Sequence, residues 1–87
     1  MTVYYVLIDT KPSFERHVSK LLKDEKSILE IDPLIVEETA ESDPFFENYD
    51  LLAKIDANDY KSLLETIDTV IKPIDGVNHV KTLTRRR

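Results

Sequence analysis

The chain of 87 residues contains no cysteine, no tryptophan and a single glycine. Each scarcity excludes something. Without cysteine there are no disulfides, no thiolate metal sites and no sulfur nucleophile, which fits a reducing compartment such as the cytoplasm. One glycine cannot build a glycine-rich phosphate loop, and no Gly-x-Ser-x-Gly elbow is present. No apolar run approaches the roughly 18 residues of a membrane span, and Met1-Thr2-Val3 reads as the start of a strand, not of a signal peptide. We therefore expect no membrane partner.

What is present is charge, mostly acidic. Seventeen acidic residues against twelve basic ones give a formal net charge of −5. Glu37, Glu38, Glu41, Asp43 and Glu47 crowd an acidic loop over 37–48, and Arg85-Arg86-Arg87 form a basic tail over 85–87. An acidic body argues against direct nucleic-acid binding. The tail reads most simply as a solubilising terminus; the alternative is a contact with phosphate or with another subunit's acidic loop. With 41% hydrophobic and 33% charged residues the composition is that of a globular protein, and the length suits one domain over 1–87.

The apolar periodicity changes along the chain. Val3 to Thr10 is a β-rich run, apolar on both alternating faces: Tyr4, Val6 and Ile8 on one, Val3, Tyr5 and Leu7 on the other. Pro12 suits a first helical turn, and Phe14, Val18, Leu21 and Leu22 then recur at helical spacing, with charged residues between them. A second apolar run, Ile28 to Val36, contains Pro33, which cannot donate to a ladder. That predicts an edge strand, or two short strands meeting at a bulge. Tyr49 to Ile55 reads as a third strand. Asn58 can cap the following helix, with Asp59 at its positive end and Tyr60, Leu63, Leu64, Ile67, Val70 and Ile71 as its apolar stripe. Pro73 stops it, Gly76 turns the backbone with an expected positive φ, and Val77 to Thr84 is the last strand.

The order β-α-β-β-α-β with right-handed crossovers predicts an α+β ferredoxin-like sandwich: a four-stranded antiparallel sheet with both helices on one face. Since the first strand is apolar on both faces, the uncovered face needs a partner. A second copy is the economical cover, so we expect a homodimer, with Tyr5 and Leu7 in the contact. Phe45 and Phe46, in the acidic loop, are read as further interface residues, or else as a local lid over the sheet edge.

Tyr49-Asp50, a polar pair at the mouth of the third strand, is the candidate ligand site. A hydroxyl and a carboxylate fixed at a strand end can hydrogen-bond a small zwitterion. A plainer reading has the Tyr49 ring anchoring the strand edge and Asp50 accepting from loop amides.

Taken in order, Tyr5-Val6-Leu7-Ile8, Lys11-Pro12, Tyr49-Asp50-Leu51-Leu52-Ala53-Lys54, Asp59, Ile74-Asp75-Gly76-Val77 and Thr82 resemble the C-terminal effector-binding (RAM) domain of Lrp/AsnC transcription regulators. The match spans nearly the whole chain. The resemblance implies sheet-mediated dimers that assemble into rings, and amino-acid effectors bound where dimers meet. Carried over by position, Tyr49, Asp50 and Thr82 would hold the effector, Asp50 taking its ammonium. It also implies a stand-alone form without a helix-turn-helix, able to co-assemble with full-length regulators. The chain departs from the family pattern at Glu47, where glycine is usual, and at Val80, where a first threonine is common. Its 37–47 loop is also longer. Glu47 brings bulk and negative charge where close backbone approach is expected, and the acidic loop would suit a cationic or metal-linked ligand better than a neutral one.

Catalysis gains little from the sequence. His17 and His79 lack metal-ligand spacing, and the acidic loop lacks the alternating aspartates and central glycine of a calcium loop. We expect neither a cofactor nor an enzyme. The expected function is an oligomeric, amino-acid-type effector-sensing module accessory to transcription regulation. The alternatives are a purely structural oligomerisation module and, by fold analogy alone, a small dimeric barrel enzyme.

Overall fold

The computed structural model describes residues 2–34 and 49–83. Within them lie four strands and two helices: β1 (Thr2–Thr10), α1 (Glu15–Lys23), β2 (Ile28–Pro33), β3 (Leu51–Ala57), α2 (Tyr60–Thr66, continued by a π-helical turn over Ile67–Ile71) and β4 (Val77–Leu83). The strands form one antiparallel sheet in the order β2-β3-β1-β4. Both central strands are flanked, and the two βαβ halves interleave. This is the ferredoxin-like α+β sandwich that the alternating pattern predicts.

Register explains which residues become core. Val6 faces Ala53, and Ile8 faces Leu51 across β1 and β3. These side chains point to the helices and pack with Val18 and Leu22 of α1 and with Leu63, Ile67 and Ile71 of α2 and its extension. Most of this core is fully buried, and each such aliphatic side chain contributes roughly 1.5–3 kcal/mol by leaving water. On α1 only Val18 and Leu22 are buried, and Leu21, at the margin of the stripe, keeps 43% of its surface. Tyr60 and Leu64 of the α2 stripe are likewise exposed, at 45% and 41%.

Several boundaries differ from the sequence pattern, each for a local reason. Pro12 does not open α1. The Phe14 N–H donates to the Lys11 carbonyl at 3.0 Å, and Ser13 has φ 72°. Lys11 to Phe14 therefore form a tight turn with proline second and a positive-φ residue third, and the helix starts only after Phe14. Asp59, not Asn58, caps α2: its carboxylate accepts the Ser62 N–H at 2.8 Å. Strand β3 begins at Leu51 rather than Tyr49.

Pro33 ends an edge strand, and the register of β2 slips between Ile28 and Glu30, leaving Leu29 as the extra residue. Gly76 has φ 101°, and the Phe14 ring fills the space that a Cβ there would need. Its carbonyl accepts the Lys11 N–H at 2.7 Å, tying the end of α2 to the β1–α1 turn.

The sheet face away from the helices carries Val3, Tyr5 and Leu7 of β1. Val3 and Tyr5 are each 44% exposed, whereas Leu7 has no exposed surface within the chain. Leu7 is flanked in register by Leu52 and Lys81. The acidic loop 37–48, with Phe45, Phe46 and Glu47, and the tail 85–87 lie outside the described residues. No helix among the described residues is long and apolar enough to cross a membrane.

Candidate functional site

Antiparallel pairing brings distant polar residues to one end of the sheet. On β1 the alternation that places Tyr5 and Leu7 on the open face also places Asp9 there. Asp9 faces His79 of β4 in register. Asp50, immediately before Leu51 and its partner Ile8, falls on the other side of Asp9, and its N–H donates to the Ile8 carbonyl at 2.9 Å. Asp50, Asp9 and His79 thus stand in a row across three strands.

Asp50 is held firmly. Its Oδ2 accepts the Thr10 N–H at 2.9 Å and the Thr10 hydroxyl at 3.1 Å. Among the described residues Thr10 is the one polar residue with a buried side chain, and this pairing satisfies its hydroxyl. The register shift of β4 between the partners of Asp9 and Thr10 bulges the strand at Asn78 and turns it towards the cleft.

These groups line an open cleft of about 680 Å3, bounded by Pro12 and Glu15 at the start of α1 and by Asn78 and His79 on β4. Burial raises the pKa of Asp9 above its ordinary value; the neighbouring Asp50 charge and a hydrogen bond with Asp50 raise it further, and His79 partly offsets this. A positive group in the cleft would relieve the repulsion that raises the Asp9 pKa. Among the described residues no three histidine, aspartate or glutamate side chains converge closely enough to hold a metal ion.

Of the residues expected from the sequence, Asp50 lines this cleft. Tyr49 is half-buried beside it and does not line it. Within one chain Thr82 stands apart. It faces Val6 on the helix side of β4, with its Oγ1 3.3 Å from the Tyr60 hydroxyl. Glu47 lies outside the described residues. The sequence pattern did not single out Asp9, Thr10, Glu15 or Asn78 as site residues, and it set His79 aside for want of metal-ligand spacing. A signal existed in strand alternation, which carries the Tyr5–Leu7 face on to Asp9, but the partners of Asp9 depend on register.

No protein-family model matches the sequence, and no curated protein is detectably similar to it. Solved structures define the fold class independently. The chain resembles FFRP-DM1 with a TM-score of 0.75 at 22% identity, covering 95% of this chain and 96% of that one. It resembles TTHA0845 from Thermus thermophilus with a TM-score of 0.78 at 20% identity, over 100% and 95% of the two chains. The E. coli Tat proofreading chaperone NapD matches with a TM-score of 0.64 at 16% identity, over 99% of this chain and 78% of that one. At these identities the likeness is one of fold.

Proposed function

We propose that the chain is a non-enzymatic, oligomeric effector-binding module whose ligand is an amino-acid-type molecule carrying an ammonium or guanidinium group. One observation carries the reading: Asp9 and Asp50 face one cleft at the sheet end, with Asp50 oriented by Thr10 and Asp9 resisting ionisation beside it. A bound cation relieves the repulsion between the carboxylates and gains charge-assisted hydrogen bonds. Glu15 adds a further negative charge at the rim, so a ligand with net positive charge is favoured over a neutral amino acid.

The oligomer is supported by the open sheet face. Val3 and Tyr5 expose apolar surface on its central strand β1. Glu30 and Asp32 occupy the β2 side of the same face, and Lys81 and His79 the β4 side. Two copies related by a two-fold axis would lay the acidic side of one against the basic side of the other over an apolar centre. The sequence resemblance to the effector domain of Lrp/AsnC regulators agrees with this arrangement. It extends the proposal to a role beside full-length regulators, with which the chain would exchange subunits.

A thermal-shift panel read beside light-scattering mass tests both parts. Arginine, lysine and putrescine are expected to raise the melting temperature, leucine and glutamate to leave it unchanged. A ligand at about 100 times its dissociation constant adds roughly 2.7 kcal/mol, a readily visible shift. No shift with any cation, or an equal shift with glutamate, overturns the ligand half. A monomeric mass at micromolar concentration overturns the oligomer half.

A further inference from the structure

Beside the acidic cleft, on the far side of Glu15, lies a second groove of opposite character. It runs along α1 above the ends of β2 and β3, has a volume of about 610 Å3, and is floored by Leu51 and Pro33. Its helix side carries Arg16, Lys20 and Lys23, with half-buried Ser19 between them. These cations recur at i, i+4 and i+7 and span about 10 Å of helix axis on one face.

In a chain with net charge −5, such cations would ordinarily find carboxylates. Among the described residues none of the three is in an ion pair; the ion pair present joins Lys72 to Asp68 on the other helix. Among the described residues Glu15 is the one acidic side chain lining the groove, beside three cationic ones. This excess of cations suits an anionic group such as a phosphomonoester, which carries about −1.5 to −2 at neutral pH. The Arg16 guanidinium can engage two phosphate oxygens at once, and lysine ammoniums are point-charge partners for the remainder. Leu51, Pro33 and the lysine stems offer the organic part an apolar floor.

We infer that the α1 groove is a binding site for a small organic phosphomonoester, separate from the carboxylate cleft. Concavity sets it apart from a flat helix face, since the three cations line an open groove with Leu51 and Pro33 at its base. The site is independent of the cation-binding proposal: Asp9 and Asp50 line the other cleft, and neither lines this one.

Titration of the full chain with adenosine monophosphate and with inorganic phosphate at low salt, followed by amide chemical shifts, tests the inference. Both probes are expected to move amides of residues 16–23 and of Leu51, with adenosine binding at least tenfold more weakly than its monophosphate. Lys20→Glu should weaken adenosine monophosphate binding at least tenfold while the unfolding midpoint stays put. Lys23→Gln, one turn on, should weaken it less, and Asp50→Asn should leave it unchanged. The inference is overturned if the phosphates move no α1 amide, if Lys20→Glu binds like the native chain, or if the shifts fall on Asp9 and His79 instead.

Discussion

The carboxylate of Asp50 receives both the main-chain N–H and the hydroxyl of Thr10, residues separated by 40 positions in sequence. This pair fixes where β3 meets the end of β1, and it places the Asp50 charge in the cleft. Asp50→Ala removes both acceptor contacts and leaves the buried Thr10 hydroxyl unsatisfied. An expected loss of about 1–3 kcal/mol follows from the lost charge-assisted bonds, read as a lower urea midpoint at constant slope. Asp50→Asn should retain part of that stability while abolishing cation-induced thermal shifts.

Two carboxylates should tilt the pH dependence in opposite senses. The pKa of Asp9 is raised in the folded chain, first by burial and then by Asp50. The folded state therefore binds that proton more tightly than the unfolded one. The stabilisation is full below the ordinary carboxylate pKa and is lost as pH rises through the raised value. Asp9→Asn should consequently melt higher than the native chain at pH 7, with the gap closing towards pH 3. The pKa of Asp59 is lowered by its hydrogen bonds from the Ser62 backbone at the α2 cap. Its contribution is present above the ordinary value and lost as pH falls through the lowered one, so Asp59→Ala should destabilise at pH 7 and be neutral in strong acid. Melts recorded from pH 2 to 8 on the three proteins check both signs.

Gly76→Ala meets two obstacles at once. Its φ of 101° disfavours any L side chain, and the added methyl group would strike the Phe14 ring. Backbone strain of about 1 kcal/mol and over-packing of about 1–3 kcal/mol predict a loss of at least 2 kcal/mol. Adding Phe14→Ala should recover part of it, because it removes the clashing Cγ and Cδ1 while the backbone strain at Gly76 stays. A double-mutant cycle measures that coupling.

Tyr5 projects from the open sheet face with 44% of its surface exposed. Tyr5→Asp places a charge at the centre of the proposed dimer contact. The mass by light scattering should fall to that of a single chain, with helix content unchanged. A mass equal to that of the native protein would exclude this face as the interface.

Thr82 is expected to act in packing rather than in ligand recognition within its own chain. Its Oγ1 lies 3.3 Å from the Tyr60 hydroxyl at an exposed position. Thr82→Val should cost less than about 1 kcal/mol, the usual net worth of such a bond. If it abolishes cation binding instead, Thr82 reaches an effector across a subunit boundary.

The legible parts of the chain were those where one residue type permits few conformations. Gly76 reads directly as a positive-φ turn, Pro33 as a mark of an edge strand or a bulge, and Val6, Ile8, Val18, Leu22, Leu63 and Ile67 as core through their spacing. Pro12 misled because a proline preset for a first helical turn is equally preset for the second position of a tight turn. Only the positive φ at Ser13 separates the two. Asn58 and Asp59 are both good caps, and the choice fell to whichever residue held the Ser62 N–H.

Alternating apolar residues, two amphipathic helices and one glycine determined the element order and hence the sandwich, because burial at periods of 2 and 3.6 leaves few ways to assemble these segments. The tertiary structure alone decided which polar residues share a cleft. Asp9, Asp50 and His79 are brought side by side by strand register, and Arg16, Lys20 and Lys23 acquire an apolar floor from Leu51 and Pro33 by helix docking. Register and docking depend on the packing of the whole core. No local pattern around any one of these residues encodes its neighbours.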